Sequence, residues 1–130
     1  MGEAYGASSP VQTFSRTLYL DVQREAGAEL TLPEDEEELA FYVADGAVEV
    51  DGEAVGLGVM AVARAGRAVR IRGLESSRLM VVGGDNIGPR QIFWNFVSSR
   101  AERIEQAKQD WRDRQFAMVP GDDEFISLPE

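Results

Sequence analysis

The sequence predicts an all-β sandwich or barrel that ends in a single α-helix. Three observations predict it. Short stretches of alternating apolar and polar residues, separated by turn residues, run from Thr13 to about Gly83. An Asp51-Gly52 pair sits between two such stretches, and one later segment after Ser99 has helical periodicity. Alternation at period two gives each strand one face for a core and one for water. Many short strands at close spacing are the pattern of sandwiches and barrels. With 130 residues, 44% hydrophobic and 28% charged, the chain is long enough for one domain with its own core.

Taken in order, residues 1–12 are small and polar and read as a lead-in arm, 13–97 as the barrel, and 98–130 as a helix and docking tail, one domain in all. Leu18, Leu20 and Val22 alternate with Thr17, Tyr19 and Asp21. The acidic run Pro33 to Glu38 reads as a solvated loop, because like charges repel and favour exposure. Leu39, Phe41 and Val43 are expected to face inward, as are Val69 and Ile71. Val48 and Val50 lead into Asp51-Gly52, which accepts positive φ at little cost and predicts a hairpin. Arg78 to Gly84 is apolar on both faces and belongs at the centre of a sheet. Gln91 to Val97 reads as one extended strand, with Ile92, Trp94 and Phe96 on one side and Phe93 and Val97 on the other. The helix is expected at about 100–115, with Ser99 and Glu102 as a capping box and Ile104, Ala107 and Trp111 on its apolar face. Phe125, Ile126 and Leu128 are expected to dock the tail.

Composition excludes much chemistry. The chain has no cysteine and no histidine, so disulfides, thiolate sites and imidazole ligands are ruled out together. A net charge of −10 argues against nucleic acid or an anionic membrane as partner. No apolar stretch approaches a membrane span and no signal-peptide profile opens the chain, so the cytoplasm is the expected compartment.

The segment from Gly27 to Gly46 resembles the first motif of cupins: a glycine, five residues, His-x-His, three or four residues, Glu, six residues and a second glycine. Both glycines fit. Pro33 and Asp35 occupy the histidine places and Leu39 the glutamate place. The second cupin motif can be laid from Gly58: Gly66 fits its internal glycine, Arg64 stands where proline is usual, Val69 where the third histidine is usual, and Gly73 for the usual asparagine. Iron or manganese needs imidazoles and a carboxylate converging on one point. Only Asp35 among these positions is a ligand type, so no metal and no cofactor is expected, and Leu39 and Val69 read as barrel packing.

From Gly88 to Phe116, and again in the tail from Val119 to Pro129, the chain resembles the close of pirin-family proteins; its opening, Gly2 to Val11, resembles the segment joining their two domains. The resemblance covers essentially the whole chain, but only the second half of a pirin. It implies a cupin-like double-stranded β-sandwich or barrel with one C-terminal helix. It also implies that the family's iron site, three histidines and a glutamate, belongs to an N-terminal cupin not present in this sequence. No catalytic residue is carried over.

Two functions compete at this stage. One is a non-catalytic, metal-free module that pairs with another cupin, with itself as a homodimer, or with another protein, with Phe93, Trp94 and Phe96 as the candidate interface. In that reading the barrel mouth near Asp35, Leu39, Phe41 and Val69 has room for a small apolar ligand. An alternative within the same residues is that helix and tail cover the aromatic strand and leave a monomer. The rival function is enzymatic, a quercetin dioxygenase-like or other small-molecule activity, which some pirins carry with their iron. No pair of carboxylates here sits at a spacing that forces two separated pKa values.

Overall fold

A computed structural model describes residues 1–64 and 66–129. The chain forms two compact units, Met1–Ile87 and Gly88–Glu130.

Among the described residues the first unit holds ten strands. A small hairpin, β1 (Glu3–Ala4) and β2 (Ala7–Ser8), comes first. Strands β3 (Thr17–Arg24), β5 (Glu38–Asp45), β8 (Met60–Val62) and β10 (Ser77–Gly84) form one antiparallel sheet in the order β3-β10-β5-β8. Strands β4 (Glu29–Thr31), β6 (Ala47–Val50), β7 (Glu53–Gly56) and β9 (Arg70–Gly73) form the second, in the order β4-β9-β6-β7. The inward residues of both sheets make one core: Leu18 and Val22 from β3, Leu39, Phe41 and Val43 from β5, and Leu79 and Val81 from β10 meet Val48 from β6 and Ile71 from β9. The period-two pattern therefore lands on the correct face throughout. Val69, just before β9, also joins the core.

Two glycines are placed by sterics. Gly46, between β5 and β6, has φ 69°, and a Cβ there would lie 2.2 Å from the Ser76 carbonyl oxygen. At Gly73 a Cβ would meet the Glu25 oxygen at 2.6 Å. Asp51 (φ 51°) and Gly52 (φ 83°) form the two-residue turn between β6 and β7, as their residue types predict.

The opening segment is more than an arm. Tyr5 (φ 51°) and Gly6 (φ 74°) turn it back on itself, and Met1 exchanges two hydrogen bonds with Tyr19. The terminal ammonium donates to the Tyr19 carbonyl at 2.8 Å, and the Tyr19 N–H donates to the Met1 carbonyl at 2.9 Å.

The second unit corrects two expectations. Gln91 to Val97 is not one strand but a hairpin of β11 (Gln91–Phe93) and β12 (Phe96–Ser98), turning at Trp94 and Asn95. Trp94 takes φ 50°, a conformation that its side chain gives no reason to expect. Phe93 now sits opposite Phe96, and Ile92 opposite Val97. Helix α1 spans Ala101–Arg112, shorter than expected, with Arg100 as N-cap and no side-chain cap. Because the helix starts one residue late, Glu102 falls at the second rather than the third helical position, so the Ser99–Glu102 box does not form. Ser98 Oγ accepts instead from the Arg100 N–H at 3.1 Å. The C-terminus closes with the Gln115 N–H donating to the Asp110 carbonyl and the Arg114 N–H to the Trp111 carbonyl, a Schellman pair with Arg114 (φ 55°) in the place usually taken by glycine.

Leu79→Ala should cost about 2–5 kcal/mol in chemical denaturation, because Leu79 is fully buried between the sheets. Val62→Ala, on an exposed site, should stay within about 0.5 kcal/mol.

Candidate functional site

Strands of both sheets enclose a cavity of about 310 Å3 in the first unit. Its floor is Phe41, Val50, Val55, Ala61, Ala63 and Val69. Phe41 and Val69 are buried, whereas Val50, Val55, Ala61 and Ala63 point the same way but remain half-buried. Short side chains at 61, 63 and 68 leave the inner faces of the sandwich incompletely filled here. The rim carries Arg64 and Arg67 from the segment before β9, and Asp51 and Glu53 from the β6–β7 turn.

Of the four cupin-motif positions and Phe41 of the expected barrel mouth, Leu39, Phe41 and Val69 share the hydrophobic core, and Pro33 and Asp35 are not part of it. Phe41 and Val69 line this cavity, Leu39 lines a groove with Ala40 and Val82, and Pro33 and Asp35 line a hollow beside the N-terminal hairpin. Pro33, Leu39 and Val69 offer no side-chain donor atom to a metal. Asp35 is already ion-paired with Arg16. Among the described residues no group of three or more carboxylates could hold a metal ion. The residues therefore do not fit an iron centre of the cupin type.

Arg16 organises the acidic run. Besides Asp35 it donates to Glu36 Oε1 from Nε at 3.3 Å and from a terminal nitrogen at 3.2 Å. The Glu36 side chain is only 2% exposed, and its Oε2 is buried without a hydrogen-bond partner among the described residues. The solvated-loop expectation thus fails at Glu36, which a single arginine draws inward. Sequence reasoning had no signal for it: five neighbouring acids look alike, and their partner lies about twenty residues upstream.

The bonded guanidinium of Arg16, and secondarily its own backbone N–H, hold the Asp35 carboxyl below the usual carboxylate range. Arg16 is pushed up by the same two carboxylates.

A second feature is the outer face of the β3-β10-β5-β8 sheet. Register places Tyr19, Val82, Ala40 and Val62 in one cross-strand row, and Asp21, Met80, Tyr42 and Met60 in the next. Tyr19, Tyr42, Met60, Val62 and Val82 are exposed, so the central strand is apolar on both faces but covered on only one. Asp21 in this face is held by Arg78, whose Nε donates to Oδ1 at 2.9 Å.

The expected interface residues are engaged within the second unit. Trp94 packs edge-on against Phe96 (5.9 Å between centroids) and Trp111 (4.9 Å), and Phe96 stacks on Phe116 at 5.7 Å. Lys108 Nζ lies 4.5 Å above the Phe93 ring. All three are half-buried; the exposed apolar side chains of the hairpin are Ile92 and Val97. In the tail, Phe125 stacks on Trp111 at 5.6 Å, and the Trp111 indole N–H donates to the Ile126 carbonyl at 2.8 Å, while the Ile126 side chain points to solvent. Among the described residues no helix is long and apolar enough to cross a membrane.

A depressed carboxylate pKa stabilises the fold above the unfolded value of about 4 and loses that contribution as pH falls through the folded value. A carbon-detected NMR titration should find the Asp35 midpoint below the unfolded value of about 4. Arg16→Gln should raise that midpoint toward about 4.

The family model described as Pirin C-terminal cupin domain matches residues 19–117. A curated "Pirin-like protein" of Caulobacter vibrioides is 45% identical over 130 residues, which span 99% of this chain and 45% of that protein. Among solved structures, a quercetin 2,3-dioxygenase from Acinetobacter baumannii superposes with TM-score 0.82 at 23% identity, over 99% of this chain and 45% of that one. A second structure described in the same words gives 0.80 at 24% identity, over 91% and 42%. At that identity the two structures speak to fold alone. The chain spans less than half the length of the relatives it matches.

Proposed function

We infer the function of this chain from its family: it belongs to the pirins, as their C-terminal cupin domain, and we propose that it is a non-catalytic, metal-free module that pairs with another cupin domain, a second copy of itself included. The observation that carries this reading is the outer sheet face. Tyr19, Tyr42, Met60, Val62 and Val82 form a contiguous apolar ladder across four strands, exposed to solvent. Scattered apolar residues are normal on a surface, but a continuous face marks an interaction site. Another cupin supplies a sheet of the same geometry, and sheets stack face to face at about 10 Å. Asp21 inside the ladder is neutralised by Arg78, so two acidic chains meeting here would not oppose bare carboxylates. This moves the proposed interface from Phe93, Trp94 and Phe96 to the barrel itself.

The non-catalytic part rests on donor chemistry. There is no imidazole or thiolate in the chain, and the one carboxylate at a cupin ligand place is taken by an arginine. We assign the protein to the cytoplasm, where a chain without cysteine forgoes nothing.

Sedimentation across a concentration series, alone and with a histidine-bearing cupin domain, tests the pairing. Tyr42→Lys with Val82→Lys should weaken association about tenfold or more while leaving the folded fraction unchanged. A chain that stays monomeric and binds no cupin overturns the pairing. Stoichiometric iron, nickel or manganese surviving dialysis, or turnover of quercetin by this polypeptide alone, overturns the non-catalytic reading in favour of a dioxygenase-like enzyme.

A further inference from the structure

We propose that the barrel mouth binds a small organic carboxylate with an apolar body, its carboxylate held by Arg64 and Arg67 and its body lying on Phe41, Val55 and Ala61. The inference stands apart from the pairing proposed above, which uses the outer face of the same sheet.

Charge supplies the first argument. Acidic residues outnumber basic ones by 23 to 13, so an arginine in this chain has carboxylates to choose from. Arg16 is held by two carboxylates, and Arg72 and Arg78 by one each. Arg64 and Arg67, like most of the chain's arginines, form no ion pair among the described residues, and both stand on the rim of an apolar-floored hollow. The two arginines are also close together by construction. The Arg67 N–H donates to the Arg64 carbonyl at 3.3 Å, which keeps the backbones of these two residues close at the rim. Each guanidinium presents a flat donor fork, which matches a planar carboxylate better than it matches a spherical anion.

The floor supplies the second argument. Val50, Val55, Ala61 and Ala63 belong to the inward face of the sandwich yet remain half-exposed at the mouth. An apolar wall without a packing partner gains from any apolar group laid on it. The cavity, about 310 Å3, lies at the small end of the range for small-molecule sites. It accommodates a compound the size of a phenylalkanoate. Asp51 and Glu53 on the opposite rim disfavour a second negative charge, so dicarboxylates and phosphates should be rejected by repulsion.

Isothermal titration with 3-phenylpropanoate, against 3-phenylpropanol and 3-phenylpropylammonium, tests the inference. The acid should bind at least about tenfold more tightly than the alcohol, and the ammonium should be weakest. Arg64→Gln with Arg67→Gln should remove that preference and leave the alcohol's affinity unchanged; both side chains are exposed, so folding is not at stake. Ala61→Leu should weaken acid and alcohol together by filling the floor. Equal binding of acid and alcohol, no binding of the acid up to about 10 mM, or an acid affinity indifferent to the arginine substitutions would each overturn it. The Tyr42→Lys, Val82→Lys variant should retain full acid binding, so loss of pairing and loss of the ligand site are read separately.

Discussion

The structure of the first unit depends on β10. It pairs with β3 on one side and β5 on the other, and its inward residues Leu79 and Val81 are 0% exposed. Through them the four-stranded sheet meets Ile71 and Val48 of the opposite sheet. Because side chains alternate strictly, a one-residue slip of β10 would exchange these residues with Met80 and Val82 and drive Arg78 into the core. Register, core and outer face are thus set by one strand. The ladder on the outside is the other half of the alternation that builds the inside.

That arrangement separates two surfaces within one sheet. On β5, Phe41 faces the cavity and Tyr42 the outer ladder. On β8, Ala61 belongs to the cavity floor and Met60 to the outer rows, while Val62 touches both the outer row and the edge of the cavity. Phe41 and Tyr42, or Ala61 and Met60, therefore serve different surfaces, and substitutions at these neighbouring positions can be used to address each alone. The mouth of the cavity carries Arg64 and Arg67, which form no ion pair among the described residues.

Much of this was legible in the sequence. Alternation identified the inward faces of β3, β5, β6 and β9, and Asp51-Gly52 announced its own turn, because both signals are local and follow from backbone geometry. The central place of β10 followed from its double-sided apolar character. What failed was whatever depends on distant partners or on a residue acting against its preference. Trp94 takes a positive φ that its type does not advertise, so the hairpin read as a strand and its aromatic faces were misassigned. Glu36 is buried by Arg16, twenty positions away. Of the motif positions, Leu39 and Val69 share the core with Phe41, whereas Pro33 and Asp35 line a hollow beside the N-terminal hairpin. Arg67 was passed over because nothing local distinguishes it; its meaning comes from the cavity beside it.

The C-terminal turn of α1 carries a further consequence. Arg114 adopts the left-handed backbone that ends the helix and also lays its guanidinium 4.6 Å from the Phe125 ring centroid. Glycine would relieve the backbone at that spot but could not reach the ring. Helix termination and tail attachment are thereby joined in a single residue, so that the strained backbone at Arg114 is the anchor point of the tail's aromatic ring.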